Sequence, residues 1–172
     1  KAGCILTLLG RSGSGKSSLL RCLAGLQSCE ATVKEIPTPF GMVFQSANLF
    51  SHLTLQANIL IALEKVQKKS LSDSKKIAQQ VLEQVQLSHR SMSYPHQLSG
   101  GEQQRGTIAR ALALSPKIIF YDEPTSALDP ELVDEVFDLM LSLKKQHITQ
   151  VVVSHETRVV QKISDSIGLM RN

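Results

Sequence analysis

The chain has 172 residues, 42% of them hydrophobic and 20% charged, with a formal net charge of +4. That length suits one domain burying about 68–70% of the surface its unfolded chain would expose, and the composition excludes disordered and collagen-like chains. The longest apolar stretches, "ILTLL" and "ILIAL", fall far short of the roughly 20 residues that cross a bilayer, and no signal-peptide pattern opens the chain, so any work at a membrane is expected of a peripheral subunit. The net charge does not choose among nucleic acid, an acidic lipid surface and a phosphorylated ligand. The densest basic cluster, Lys65, Lys68, Lys69, Lys75 and Lys76, is interrupted by Glu64 and Asp73 and reads as a solvated helix face. Cys4, Cys22 and Cys29 form neither a CxxC pair nor an even set, which argues against a disulfide framework or zinc site and for a reduced, cytosolic compartment.

In chain order, "CILTLL" (4–9) reads as a buried strand, followed by "GRSGSGKS" (10–17) and the helical "KSSLLRCLAGL". Strand, glycine loop and helix open a parallel α/β unit. Gly10, Gly13, Gly15, Lys16 and Ser17 satisfy G-x-x-x-x-G-K-[ST] in the context that pattern requires. The glycines let successive N–H groups curl around phosphates, Lys16 supplies a point charge, and the Ser17 hydroxyl can ligate Mg²⁺. "GMVF" (41–44), after Pro37 and Pro39, reads as a second strand, and 55–66 and 72–87 as helices. In the latter, Ile77, Val81 and Val85, with Ala78 and Leu82, form one apolar stripe, and Ser70 with Asp73 gives a capping signal upstream.

"LSGGEQQR" (98–105) turns through Ser-Gly-Gly into a helical start, a second place where free N–H groups face an anion. "KIIFYDE" (117–123) is a buried strand with Asp122 and Glu123 at its carboxyl end, where open α/β sheets place ligands. Alone the pair also fits a solvated strand end or a cap before Pro124; beside a phosphate loop it fits a Mg²⁺-associated carboxylate and a second one that polarises attacking water. Asp129 and Pro130 open a helix that buries Leu132, Val133, Val136, Phe137, Met140 and Leu143. "TQVVVSHE" (149–156) is a further apolar strand that ends in a histidine, and His155 fits either a surface histidine or a catalytic one. The residues thus describe one α/β domain with a helical insertion at roughly 50–97.

Taken in order, "GRSGSGKS", "VFQ", "LSGGEQQR", "IIFYDEP", "SALD" and "VVVSHE" resemble the ATP-binding subunit of ATP-binding-cassette (ABC) transporters over nearly the whole chain. The resemblance implies a P-loop NTPase core, α/β with a mostly parallel sheet flanked by helices. It adds a helical subdomain carrying the signature "LSGGEQQR", and an N-terminal antiparallel β part that is reduced or missing. Residues 1–172 would form one such domain, with core at about 1–49 and 115–172 and helical subdomain at about 50–114. The ligands implied are ATP and Mg²⁺. Gly10, Arg11, Ser12, Gly13, Ser14, Gly15, Lys16, Ser17 and Ser18 match the phosphate loop, with Lys16 also counted as catalytic. Gln45 matches the glutamine that reaches Mg²⁺ and water while touching the membrane partner, and Asp122 the Mg²⁺-associated aspartate. Glu123 matches the catalytic base and His155 the γ-phosphate-contacting histidine. Ser99, Gly100 and Gly101 match the signature that meets a nucleotide on the other subunit, and Asp129 lies across that interface.

The partners implied are a second ATPase subunit, as a homodimer or a pair, and integral-membrane permeases, with an extracytoplasmic solute-binding protein reached through the permease. No nucleic acid is expected, and the location is peripheral, at the cytoplasmic face of the membrane. "VFQSANLFSHLTLQANI" and "DEPTSALDPELVDEV" point to bacterial polar amino-acid uptake. The alternative is a soluble ABC ATPase acting on nucleic acid, the ribosome or iron-sulfur assembly. Against it, only 52 residues separate Gln45 from Leu98 (46 to 97), without sustained heptads, and there is one cassette. The pattern departs from the family in three places: no strands with an adenine-stacking aromatic precede Lys1, the stretch between Lys16 and Gln45 is short, and the sequence ends after "SIGLMRN", before the family's last strand and helix. The expectation is a truncated or divergent domain with lowered nucleotide affinity.

Overall fold

The structure, a computed structural model, describes residues 2–28 and 38–170. Five strands, β1 (Ile5–Leu9), β2 (Phe40–Val43), β3 (Ile118–Asp122), β4 (Thr149–Ser154) and β5 (Ser166–Leu169), form one sheet in the order β2-β3-β4-β1-β5, every neighbouring pair parallel. The helices are α1 (Lys16–Leu23), α2 (Leu55–Val66), α3 (Leu71–Gln84), α4 (Gly100–Leu112), α5 (Pro130–Lys145) and α6 (Thr157–Ile163), with 3₁₀ turns at Ser88–Arg90 and Pro95–Gln97.

A parallel sheet must be covered on both faces, and the strands alternate accordingly. Ile5, Val43, Ile119, Tyr121 and Val152 join the larger core with α2 to α6, while Phe120, Val151 and Val153 pack with Leu20 of α1 and Ala24, its C-cap. The α3 stripe is as expected: Ala78, Val81, Leu82 and Val85 are buried and Ile77 packs against them. Helix α5 buries Val133, Val136, Phe137, Met140 and Leu143, adds Leu139, and leaves Leu132 half-buried. The five lysines of the basic cluster are all exposed, as a solvated face requires.

The expected helix 72–87 stops earlier: α3 ends at Gln84, and Gln86 takes a left-handed φ of 60° that breaks the helical path. Helix α6 and strand β5 lay beyond the sequence reading, because seven- and four-residue elements with Ile167 and Leu169 exposed give too little periodicity. The expectation of a reduced antiparallel β part falls largely on residues 29–37, outside the described residues.

The register sets up the site. Val43 pairs with Tyr121, Asp122 with Val153 and Leu9 with Ser154, so β2, β3, β4 and β1 end along one rim. Glu123, His155 and Gly10 follow the ends of β3, β4 and β1 directly, and Gln45 lies two residues past the end of β2.

Candidate active site

The glycine loop between β1 and α1 is shaped by its backbone. Gly15, the N-cap of α1, sits at φ 83°, which a side chain would strain. A Cβ on Gly10 would lie 2.6 Å from the Ser14 Oγ and 2.8 Å from the Met170 carbonyl, so only glycine lets these backbones approach. The helix start leaves first-turn N–H groups without intrahelical acceptors. Ser12, Gly13, Gly15, Lys16, Ser17, Ser18 and Glu123 line one recess there. Lys16 is 4% exposed, and its ammonium donates to the carbonyls of Gly10 (2.8 Å) and Arg11 (2.9 Å). Among the described residues it forms no ion pair, and the Ser14 Oγ is buried without a hydrogen-bond partner. A buried cation held by neutral carbonyls beside an orphan hydroxyl is a cavity that suits an anion.

Asp122 closes β3 at 4% exposure. Its Oδ1 accepts from the Ser17 hydroxyl at 2.6 Å and its Oδ2 from Arg21 Nη2 at 3.2 Å, a residue one turn along α1. Glu123 has a left-handed φ of 50°, and its N–H donates to the Val153 carbonyl (3.0 Å) as the chain leaves the sheet. A non-glycine residue in that region is held by its surroundings and commonly marks a working position. Its Oε2 lies 3.2 Å from His155 Nδ1, so two side chains that the sequence places 32 positions apart meet at the rim. Gln45 is exposed two residues past β2; the backbone around it is tied to α4, with Gln104 Nε2 donating to the Phe44 carbonyl (3.2 Å) and Arg110 Nη1 to that of Asn48 (2.7 Å).

The second anion-facing turn stands apart: Ser99, Gly100 and Gly101 are absent from the lining of the phosphate-loop recess. Ser99 is the N-cap of α4 in a reciprocal capping box, its Oγ accepting from the Glu102 N–H (3.2 Å) and its own N–H donating to Glu102 Oε2 (2.8 Å). Arg90 Nε donates to Glu102 Oε1 at 3.0 Å. Burial pushes the Glu102 carboxyl up, but the Ser99 N–H, the Arg90 hydrogen bond and the charges of Arg90 and Arg105 outweigh it and hold the group below its ordinary value. Asp129 is the N-cap of α5, as expected from the sequence, yet its exposed carboxylate makes no capping hydrogen bond. Sequence reasoning missed Arg21, Arg90, Gln104 and Arg110. Only Arg21 carried a signal, being four residues after Ser17 on the same helical face.

The family model described as "ABC transporter" matches residues 1–126. The chain belongs to the ABC transporter family. Among curated relatives, the glutamate transport ATP-binding protein GluA of Corynebacterium glutamicum is 45% identical over 98% of this chain and 76% of its own length. The glutamine transport ATP-binding protein GlnQ of Bacillus subtilis is 41% identical over 96% and 74%. Among solved structures, an ATP-binding cassette in a dimeric post-hydrolysis state bound to ADP and Pi superposes with a TM-score of 0.83 at 32% identity, covering 99% of this chain and 82% of that one. An inward-facing ABC transporter gives 0.90 at 32%, covering 99% and 71%. As an ABC family member the chain is a nucleotide-binding ATP hydrolase that works as a transporter subunit, which favours the transport reading over a soluble ABC ATPase. Among the described residues no helix is long and apolar enough to cross a membrane.

Proposed function

We propose that this ABC ATPase subunit drives import of a polar amino acid through membrane permeases. It would sit peripherally at the cytoplasmic face and receive solute by way of an extracytoplasmic binding protein. The names of its relatives, which transport glutamate, glutamine and arginine, support the amino-acid class. The core at about 1–49 and 115–172 would hold the phosphates, and the helical part at about 50–114 would carry the signature.

The observation that carries the mechanism is the separation of two anion-facing surfaces in one chain: the Lys16 recess and the Ser99 turn, which does not line it. Each chain then supplies one face to its own nucleotide and the other to a second subunit's. The loop Gly10 to Ser18 cradles the triphosphate through its N–H groups, and Lys16 turns from the Gly10 and Arg11 carbonyls to the phosphates. The buried Asp122 carboxylate and the Ser17 hydroxyl, 2.6 Å apart, are hard oxygen donors that suit Mg²⁺, with Gln45 on the same rim as a third. Bound there, the ion supplies charge neutralisation to the transferring phosphoryl group. Glu123 takes the proton of the attacking water, and His155 orients its carboxylate. Ser99, Gly100 and Gly101 present donors to the partner's nucleotide, and Asp129, uncommitted to its own helix, lies in that interface.

Ser99→Arg tests this: ATP binding to the monomer is expected to be unchanged while ATP-dependent dimerisation, read by light scattering, is lost. Loss of monomer binding would mean that the signature acts within its own chain.

A further inference from the structure

The capping box of α4 is built with a carboxylate, and that choice has an electrostatic consequence. A neutral glutamine at 102 would cap the Ser99 N–H equally well. Glu102 adds a negative charge close to the glycines that, on the reading above, meet a polyphosphate. Like charges at that spacing oppose each other appreciably at the dielectric of a protein surface. The structure holds the counterweight. The Glu102 side chain is 14% exposed and its Oε1 is taken by Arg90 Nε at 3.0 Å. Arg90 in turn is fixed by its 3₁₀ turn, its N–H donating to the Leu87 carbonyl and its carbonyl accepting from Ser93. The Ser91 and Ser93 carbonyls accept from Gln56 and Leu55 at the start of α2, so the turn is anchored in the helical part.

The capping bond also leaves Ser99 poised. Its Oγ uses an acceptor lone pair on the Glu102 N–H, and its hydroxyl hydrogen remains a donor.

We propose that Arg90 is a positioning residue for the signature: by neutralising Glu102 it lets the carboxylate cap α4 without repelling the nucleotide held by the second subunit. The inference rests on the trans role of Ser99, Gly100 and Gly101. Its mark is charge, which separates it from a merely structural role.

The experiment follows ATP-driven dimerisation of the full chain in a Glu123→Gln background. Arg90→Ala and Arg90→Gln, the second keeping an N–H donor, are each expected to raise the ATP concentration for half-maximal dimerisation about tenfold at low salt. The defect is expected to shrink as salt screens it. Adding Glu102→Gln to either is expected to restore assembly to within about threefold, a coupling that a double-mutant cycle isolates. A salt-independent defect, failure of Glu102→Gln to rescue, or unimpaired dimerisation of Arg90→Gln would overturn the proposal. If Ser99→Arg in the same assay dimerises normally, the trans reading itself is what fails.

Discussion

On the proposed reading Lys16 and Glu123 are the residues on which the chemistry turns, and each is in a state that its neighbours impose. Lys16 is a buried ammonium with only carbonyls for company, a costly arrangement without an anion. Glu123 is held in a left-handed backbone conformation with its carboxylate 3.2 Å from His155. Glu123→Gln keeps shape and hydrogen-bonding capacity but cannot take a proton. The expected result is ATP binding within a factor of about two of the parent with turnover lowered by about 10² to 10⁴, checked by equilibrium binding and phosphate release; undiminished turnover would remove Glu123 as the base. At this scale the sequence was informative where a motif names the atom. Ser17 and Asp122 meet at 2.6 Å, because loop and strand end are adjacent by topology. The Glu123–His155 pair was legible only as two separate strand ends, since pairing of β3 with β4 is a property of the sheet. Asp129 shows the converse: its position at the helix start was readable, but its side chain's release from capping was not.

Elements are where burial, charge and close approach decide what the sequence leaves open. The apolar runs of β1, β3 and β4 and the stripe of α3 identified themselves by periodicity. Strand β5 did not, because its place depends on Asp165, which precedes it. The Asp165 N–H donates to the Ile5 carbonyl at 2.9 Å, and its Oδ2 accepts from the Ile5 N–H at 2.9 Å, so one residue starts the ladder to β1. Lys144 on α5 also binds its carboxylate. The Lys144 hydrogen bond, then the Ile5 N–H, hold the Asp165 carboxyl below its ordinary value. A depressed folded-state value stabilises the fold above the unfolded pKa of about 4, and this contribution is lost as pH falls through the folded value. Asp165→Asn is therefore expected to lower the melting temperature by a few degrees at pH 7 and to match the parent near pH 2, measured by thermal denaturation. An equal deficit at both pH values would mean that packing rather than charge fixes β5. Close approach is equally invisible in sequence: a Cβ on Gly41 would meet the Ala111 Cβ at 2.9 Å, so this glycine in β2 sets how near α4 can lie. The hydrogen bonds from Gln104 and Arg110 that tie α4 to the backbone flanking Gln45 have the same character, since residues some 60 positions apart are joined only by the fold.

For the whole molecule, the proposed reading gives one chain two halves of two different sites. The phosphate loop, Asp122, Glu123 and His155 gather on one rim, while Ser99, Gly100 and Gly101 do not line the phosphate-loop recess. On that reading hydrolysis requires a second subunit, and ATP binding is the event that joins them. The most direct measurement mixes two disabled proteins, Lys16→Ala, which lacks a working phosphate loop, and Ser99→Arg, which lacks a working signature. Each alone is expected to be inactive. A mixed dimer pairs the intact loop of one with the intact signature of the other, so ATP hydrolysis should reappear on mixing and rise with the proportion of mixed dimers. If the mixture hydrolyses no more ATP than its separate components, the two surfaces do not form one site between subunits, and the account is contradicted.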